Sequence, residues 1–220
     1  MGELVKFVDK AKAGLEQSPA CKKVADIIIR FFETASEPIL IAVGGPGGTG
    51  KSSFSRGLAA ALPDSTVLRL DDYKKPREYR KERAIFGAHP EANELDQIKK
   101  HLSLIKTGLT IEKPLYNPDL GYADKTAAFE PTRFNIVDGE VATYEDFKEF
   151  IDFSVFIDAD LATQLNTRLT RDIADRGYTK EKALATFFGS NMDEFLEFGA
   201  HTKNKADIVL FCDSNYSLYM

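Results

Sequence analysis

The sequence has few of the features that mark secreted, membrane-bound or cysteine-ligated metal proteins. Only two of its 220 residues, Cys21 and Cys212, are cysteines, and they form no C-x-x-C pair. This predicts a protein of the reducing cytosol without a cysteine metal site. No apolar run is long enough to cross a bilayer, and charged residues interrupt residues 5–10, where a signal peptide needs an apolar run. We therefore expect a cytoplasmic protein with no membrane partner.

Positive charge in excess, internal repeats and low-complexity tracts are also lacking. The net charge is −5 at pH 7, which argues against general binding to nucleic acids or membrane surfaces. With 43% hydrophobic and 29% charged residues, the composition is that of a globular protein. A chain of 220 residues can build one sizeable core. We expect residues 1–36 to be an N-terminal helical extension and residues 37–220 to form one domain.

Residues 1–35 predict two helices. Apolar residues recur at helical spacing in each half: Leu4, Phe7, Val8, Ala11 and Leu15, then Val24, Ile27, Ile28 and Phe31. Gly14 and the Ser18-Pro19 pair separate the halves, with Ser18 as a candidate N-cap. The simpler interpretation is that both helices pack on the core. The alternative, a subunit contact within a homo-oligomer, stays open.

Among the features that the sequence does have, a phosphate-binding motif stands first. Residues 45–52 match G-x-x-x-x-G-K-[ST], between an apolar run at 39–43 and a segment that can form a helix. Glycines let successive backbone N–H groups turn toward an anion, and the helix N-terminus adds partial positive charge. The predicted nucleotide-binding residues here are Gly45, Pro46, Gly47, Gly48, Thr49, Gly50, Lys51, Ser52 and Ser53. Lys51 would reach the β- and γ-phosphates, and the Ser52 hydroxyl would bind Mg²⁺.

Apolar segments with strand and helix character alternate along the rest of the chain. Strands are predicted at 66–70, 134–137, 153–157 and 208–211, and helices at 95–105, 161–173 and 180–200. This alternation predicts an α/β sandwich around a mostly parallel sheet. Residues 110–131 predict a long ordered loop or a short hairpin. Residues 74–92 are highly charged and fit either a solvated helical face or a basic rim for an anionic substrate.

Carboxylates follow two of these predicted strands. Asp71 and Asp72 come after the strand at 66–70, and Asp138 follows the strand at 134–137. In a doubly wound sheet the ligand crevice lies at the carboxyl ends of the strands. Asp138 could hold Mg²⁺ there, and Asp71 or Asp72 could accept a proton from a hydroxyl group, with Asp71 favoured because it is first off the strand. The alternative for each is a turn or N-cap role.

Three arginines follow the strand at 153–157. Arg168, Arg171 and Arg176 lie on the next predicted helix and could stabilise negative charge in a phosphoryl-transfer transition state. The alternative is ion pairing on the helix surface, since Asp172 and Asp175 lie at i,i+4 spacing to these arginines. Such surface pairs contribute only about 0.3–0.5 kcal/mol each.

Five stretches together resemble the uridine kinase and phosphoribulokinase group of P-loop kinases, which includes bacterial-type pantothenate kinase. They are residues 45–52, 70–73, 89–92, 113–116 and 168–177, and the resemblance runs from about Ile39 to Phe211. It implies a P-loop three-layer sandwich with a helical lid, ATP and Mg²⁺ as cofactors, and Asp71 as catalytic base. It further implies that Tyr73 and Tyr116 contact the acceptor. Asp138 falls where the family has a glutamate before glycine, and the lid arginines Arg168, Arg171 and Arg176 would close over ATP.

The predicted function is that of an ATP-dependent small-molecule kinase with a hydroxyl acceptor. Uridine kinases carry a histidine and an arginine soon after the Pro-x-Tyr segment that residues 114–116 resemble. Residues 117–125 contain neither, which predicts that uridine and cytidine are poor acceptors. Two alternatives stay open: a catalytically silent nucleotide-binding module and a GTPase-type hydrolase. For the latter, residues 204–207 spell N-K-x-D, but they precede a predicted strand, and no D-x-x-G motif follows Val137.

Overall fold

The computed structural model describes residues 2–220, with the side chains of residues 5, 6 and 8–220. The side chains of Leu4 and Phe7, part of the first predicted helical stripe, lie outside the described residues. The helices are α1 (Gly2–Glu16), α2 (Pro19–Phe31), α3 (Lys51–Ala61), α4 (Arg77–Glu82), α5 (Leu95–Lys106), α6 (Leu161–Ala174), α7 (Lys180–Phe187) and α8 (Phe195–Phe198). The strands are β1 (Ile39–Gly44), β2 (Ser65–Arg69), β3 (Ile111–Asn117), β4 (Tyr122–Phe129), β5 (Phe134–Asp138), β6 (Phe153–Asp158), β7 (Ile208–Cys212) and β8 (Leu218–Tyr219).

Six strands form the central sheet in the order β2-β5-β1-β6-β7-β8, and all pairs are parallel except β7 with β8. Strands β3 and β4 form a separate antiparallel hairpin. The expected α/β fold with a mostly parallel sheet is confirmed. Because Val43 of β1 is in register with Asp138 of β5, the β5 carboxylate emerges beside the start of the phosphate loop.

The sheet is buried on both faces, which explains why β1 reads as a continuous apolar run. Side chains alternate between two core clusters: Ile41 and Val43 belong to the cluster that includes residues of α2 and α3, and Leu40 and Ala42 to the one that includes residues of α5. The same alternation places Asp138 on the face of the sheet that carries Phe134 and Ile136, toward α3.

The N-terminal helices pack on the phosphate-loop helix α3. Ser18 Oγ accepts a hydrogen bond from Ala20 N at 3.3 Å, which confirms the predicted N-cap of α2. Gly14 lies inside α1 and does not separate the two helices, contrary to the prediction. Leu15 of α1 is buried against the core. No helix among the described residues is long and apolar enough to span a membrane.

Four predicted segments can be compared with the structure in detail. Residues 110–131 form the β3–β4 hairpin, one of the two predicted alternatives, and residues 180–200 divide into α7, a π-helical segment at Phe188–Glu194, and α8. The charged segment 74–92 contains one short helix, α4. In α6 the apolar stripe is incompletely covered, since Leu161 is 50% exposed, and the buried side chains of the helix are Thr163, Arg168 and Asp172. The most deeply buried side chains of α6 are therefore polar, while Leu165, Leu169 and Ile173 are partly buried.

Candidate active site

The predicted phosphate loop connects β1 to α3, as its sequence requires. Gly45, Gly48 and Gly50 have positive φ angles of 131°, 91° and 83°, a conformation that glycine adopts without steric cost. A β-carbon on Gly45 would also collide with the carbonyl oxygen of Ile157 on the neighbouring strand. The loop ends at the N-terminus of α3, where free backbone N–H groups and the helix dipole favour an anion.

Lys51 is held at this loop with most of its side chain covered. The residue is 8% exposed, and its Nζ donates a hydrogen bond to the carbonyl oxygen of Pro46 at 2.7 Å. Burial lowers the pKa of Lys51, while the negative charges of Glu140, Asp138 and Asp71 oppose that effect. The Thr49 hydroxyl donates to the same carbonyl at 3.0 Å. Lys51 is thus a largely desolvated cation on the anion-binding loop.

Asp138, at the end of β5, lies near Ser52, and the role of both as metal ligands stays a prediction. Asp138 is 5% exposed, and its Oδ1 has no hydrogen-bond partner among the described residues. Burial raises the pKa of Asp138, while the nearby Ser52 hydroxyl and the charge of Lys51 act against the rise. An orphaned buried carboxylate oxygen beside a hydroxyl fits Mg²⁺. Among the described residues no group of three His, Cys, Asp or Glu side chains could hold a metal, so the ion would depend on phosphate and water oxygens as well.

Asp71 and Asp72 face different surroundings, in a 3₁₀ turn at Leu70–Tyr73. The Asp72 carboxylate is 10% exposed and accepts hydrogen bonds from Lys113 Nζ at 2.7 Å and from the Tyr116 backbone N–H at 3.4 Å. It therefore anchors the β3–β4 hairpin. The Asp71 side chain is 53% exposed, with Lys74 Nζ at 3.9 Å. Desolvation acts to raise the pKa of Asp71, but the nearby cations, Lys74 foremost, outweigh it and lower the pKa.

The two tyrosines expected to contact the acceptor differ in accessibility. Tyr73 is 1% exposed, and its hydroxyl pairs with His101 Nδ1 at 2.8 Å. The Tyr73 ring therefore belongs to the core beside α5, and its contact with the acceptor stays a prediction. Tyr116 is half-buried on the hairpin, and its hydroxyl accepts a hydrogen bond from Arg80 Nη2 at 2.6 Å.

The three predicted arginines of α6 gather around one buried carboxylate. Asp172 has no exposed side-chain surface, and its oxygens lie 2.8 Å from Arg171 Nη2, 3.2 Å from Arg176 Nη1 and 3.7 Å from Arg168 Nε. The i,i+4 pairs of Asp172 with Arg168 and Arg176 are present as the spacing predicts. They differ from ordinary pairs on a helix surface because the Asp172 carboxylate is buried. Arg176 is near enough to Asp71 to lower the pKa of that carboxyl group.

Arg168 lies directly on the phosphate loop. It is 5% exposed, and its Nη1 donates to Asn191 Oδ1 and contacts Glu140 Oε1 at 3.3 Å. A β-carbon on Gly47 would collide with the Arg168 guanidinium, so glycine is required at position 47 for this contact. The helix that carries the three predicted arginines, α6, therefore contacts the phosphate loop.

Glu140 was not predicted from the sequence, although it is central to this cluster. Desolvation acts to raise its pKa, but the charges of Arg168, Lys51 and Lys74 outweigh it and lower the pKa. The sequence feature that could have indicated Glu140 is its position two residues after Asp138, the carboxylate at the end of β5. The remaining predicted residue, Ser53, is buried and accepts a hydrogen bond from Arg56 Nη2 at 3.2 Å.

The N-K-x-D sequence at 204–207 has structural contacts away from the loop. Lys205 forms an ion pair with Glu145, and Asp207 accepts hydrogen bonds from the Ser154 N–H and hydroxyl, both at 2.7 Å. The Asp207 contacts connect the start of β7 to β6, and the Lys205 pair connects the same segment to the 3₁₀ turn at Glu145–Phe147.

The fold and loop together define an α/β protein with a P-loop, an anion-binding loop that carries Lys51. Residues 40–213 match the Phosphoribulokinase / Uridine kinase family, and the chain belongs to that family. It is 32% identical over 176 residues to a phosphoribulokinase of Synechocystis sp., covering 78% of this chain and 53% of that protein. It is 27% identical over 183 residues to a uridine kinase of Clostridium tetani, covering 80% and 88%. The chain therefore spans about half the length of the phosphoribulokinases it matches.

Solved structures show the same fold. The D-glycerate 3-kinase of Cryptococcus neoformans aligns with a TM-score of 0.70 at 13% identity, over 94% of this chain and 98% of that one.

Proposed function

We propose that this protein is an ATP-dependent kinase that transfers the γ-phosphoryl group to a hydroxyl group of a small metabolite. The observation that carries the proposal is the pairing of a phosphate loop, with its buried Lys51, and an accessible carboxylate, Asp71, at the end of a nearby strand of the same sheet. A transferred phosphoryl group needs cations around it and a carboxylate that orients the acceptor.

Each group in the cluster has a distinct role in this proposal. The loop N–H groups and Lys51 bind the β- and γ-phosphates, and Ser52 with Asp138 would hold Mg²⁺. Bound Mg²⁺ supplies charge neutralisation at the phosphate oxygens. Asp71 orients the acceptor hydroxyl and accepts its proton as the acceptor oxygen bonds to the γ-phosphorus. The bond from that phosphorus to the bridging oxygen breaks, and ADP leaves. Arg171 stabilises the charge on the transferred group.

The identity of the acceptor is limited by the basic side chains near Asp71. Arg77 donates to the carbonyl of Pro118, and Arg80 binds Tyr116 and the carbonyl of Lys75, so both support the hairpin. Lys74 lies beside Asp71, with its Nζ on the Gly87 carbonyl and Asn93. An anionic acceptor, such as a sugar phosphate or a hydroxy acid, would gain a favourable interaction with Lys74.

Formation of ADP tests this proposal. Wild-type protein with ATP and Mg²⁺ should form ADP in the presence of one class of acceptor among nucleosides, sugars, sugar phosphates, pantothenate and glycerate. Lys51→Ala should abolish the reaction without unfolding the protein, because the loop keeps its glycines. Unchanged turnover in the folded Lys51→Ala protein would contradict the proposal.

A further inference from the structure

Glu140 reaches the phosphate loop because the chain turns at Gly139, just beyond β5. The Gly139 N–H donates to the Val43 carbonyl at 3.2 Å, and a β-carbon at position 139 would lie 2.8 Å from Leu70 Cβ. Real β-carbons do not approach other atoms so closely, so this turn requires glycine. Glu140 and Asp138 consequently have different neighbours: Asp138 interacts with Ser52 on α3, and Glu140 with α6.

The Glu140 carboxylate lies between two backbone segments of the cleft. Its Oε1 is 3.3 Å from Arg168 Nη1 and 2.6 Å from the place that a β-carbon on Gly47 would occupy. Its Oε2 is 3.4 Å from the corresponding place on Gly87, whose carbonyl binds Lys74. Only 16% of the side chain is exposed. One carboxylate thus lies close to both the phosphate loop and the segment that holds Lys74.

A continuous set of contacts leads from Glu140 to the loop backbone. Arg168 Nη1 is shared between Glu140 and Asn191 Oδ1. The Asn191 side-chain amide donates to the Gly47 carbonyl at 2.8 Å and to Gln164 Oε1 at 3.0 Å. Arg168 and Asn191 are both buried, so neither can exchange these partners for bulk water.

We propose that Glu140 is a positioning residue for phosphoryl transfer, which holds the Arg168 guanidinium against the phosphate loop. This inference rests on the proposed kinase function. Two carboxylates compete for Arg168: Glu140 at Nη1, and Asp172, 3.7 Å from Nε. Arg168 Nε has no hydrogen-bond partner among the described residues. Without the charge of Glu140, the guanidinium would turn toward Asp172, away from the loop.

A double-mutant cycle tests whether Glu140 acts through Arg168. Glu140→Gln should lower kcat about tenfold while the KM for ATP changes less than about threefold, because Lys51 and the loop N–H groups remain. In an Arg168→Ala background the same substitution should have no further effect. The matched control is Glu145→Gln, which removes an exposed carboxylate paired with Lys205 and should leave kcat within about twofold. An equal loss of kcat in both backgrounds, or full kcat in Glu140→Gln, would overturn the inference.

A spectroscopic measurement separates this inference from the proposed function. In ¹⁵N-correlated NMR spectra, Glu140→Gln and Arg168→Ala should both shift the Asn191 side-chain amide resonance, and Glu145→Gln should not. If wild type transfers no phosphoryl group but these shifts occur, the kinase proposal fails, and what stands is that Glu140 holds Arg168 against the loop. If wild type is active and the Asn191 resonance stays in place in Glu140→Gln, the positioning role fails alone.

Discussion

The buried carboxylate of Asp172 allows a quantitative test of how α6 is stabilised. If its ion pairs were ordinary surface pairs, its three arginine contacts would contribute about 0.3–0.5 kcal/mol each. Asp172 is instead fully buried, and removing one member of a buried charge pair costs about 3–5 kcal/mol. Because Arg171 and Arg176 are 30% and 42% exposed, water screens part of that cost. We therefore expect Asp172→Asn to lower the free energy of unfolding by about 3 kcal/mol.

Urea unfolding followed by circular dichroism at pH 7 measures this loss. The matched control is Asp175→Asn, three residues further along. Asp175 pairs with Lys12 at 2.7 Å, but the two side chains are 30% and 37% exposed, so the expected loss is below about 1 kcal/mol. If both variants lose the same small amount, the buried charge cluster around Asp172 does not stabilise α6.

Four further predictions follow from the site. Asp71→Asn should lower turnover about 10²–10⁴-fold with ATP binding preserved. Asp72→Asn should mainly destabilise the hairpin, which thermal unfolding measures. If instead Asp72→Asn loses turnover and Asp71→Asn loses stability, the two roles are exchanged. Arg171→Ala should slow turnover at least about tenfold, equivalent to about 1.4 kcal/mol, and full activity with lower thermal stability would assign Arg171 to ion pairing alone. Burial raises the pKa of Asp138, so its charged form destabilises the metal-free fold. Asp138→Asn should therefore raise the midpoint of thermal unfolding at pH 8. The gain should shrink as the pH falls, because the wild-type carboxyl group becomes protonated. An unchanged midpoint at pH 8 would contradict this prediction. Uridine should give a lower kcat/KM than the best acceptor, and a value near about 10⁵ M⁻¹s⁻¹ for uridine would contradict that expectation.

The features that could be predicted from sequence are those set by local pattern. The phosphate loop is specified by eight consecutive residues, 45–52, and the strand before it by its continuous apolar run. The N-cap at Ser18 follows from the neighbouring Pro19. Asp71 and Asp72 have different surroundings, as strand alternation led us to expect, but both lie in the 3₁₀ turn after β2 and not on the strand, and the role of Asp71 as base stays a prediction.

The features that could not be predicted depend on tertiary contacts. Tyr73 is drawn into the core by His101, 28 residues away, and no local signal gives that pairing. Glu140 becomes part of the site only because the turn at Gly139 brings it to Arg168 on another element. The apolar stripe of α6 indicated a helix but not that its buried face would carry Arg168 and Asp172. In each case the surroundings of the side chain depend on residues that are distant in sequence.

The fate of the γ-phosphoryl group tests the central claim most directly. ATP labelled at the γ-phosphorus is incubated with Mg²⁺, the protein and the best acceptor from the screen, and the products are separated. The label should appear in the phosphorylated acceptor, only when acceptor is present, and should not be transferred by Lys51→Ala. Label released as free phosphate without acceptor would indicate a hydrolase. ATP binding with no movement of the label, for any acceptor in the screen, would contradict the kinase assignment.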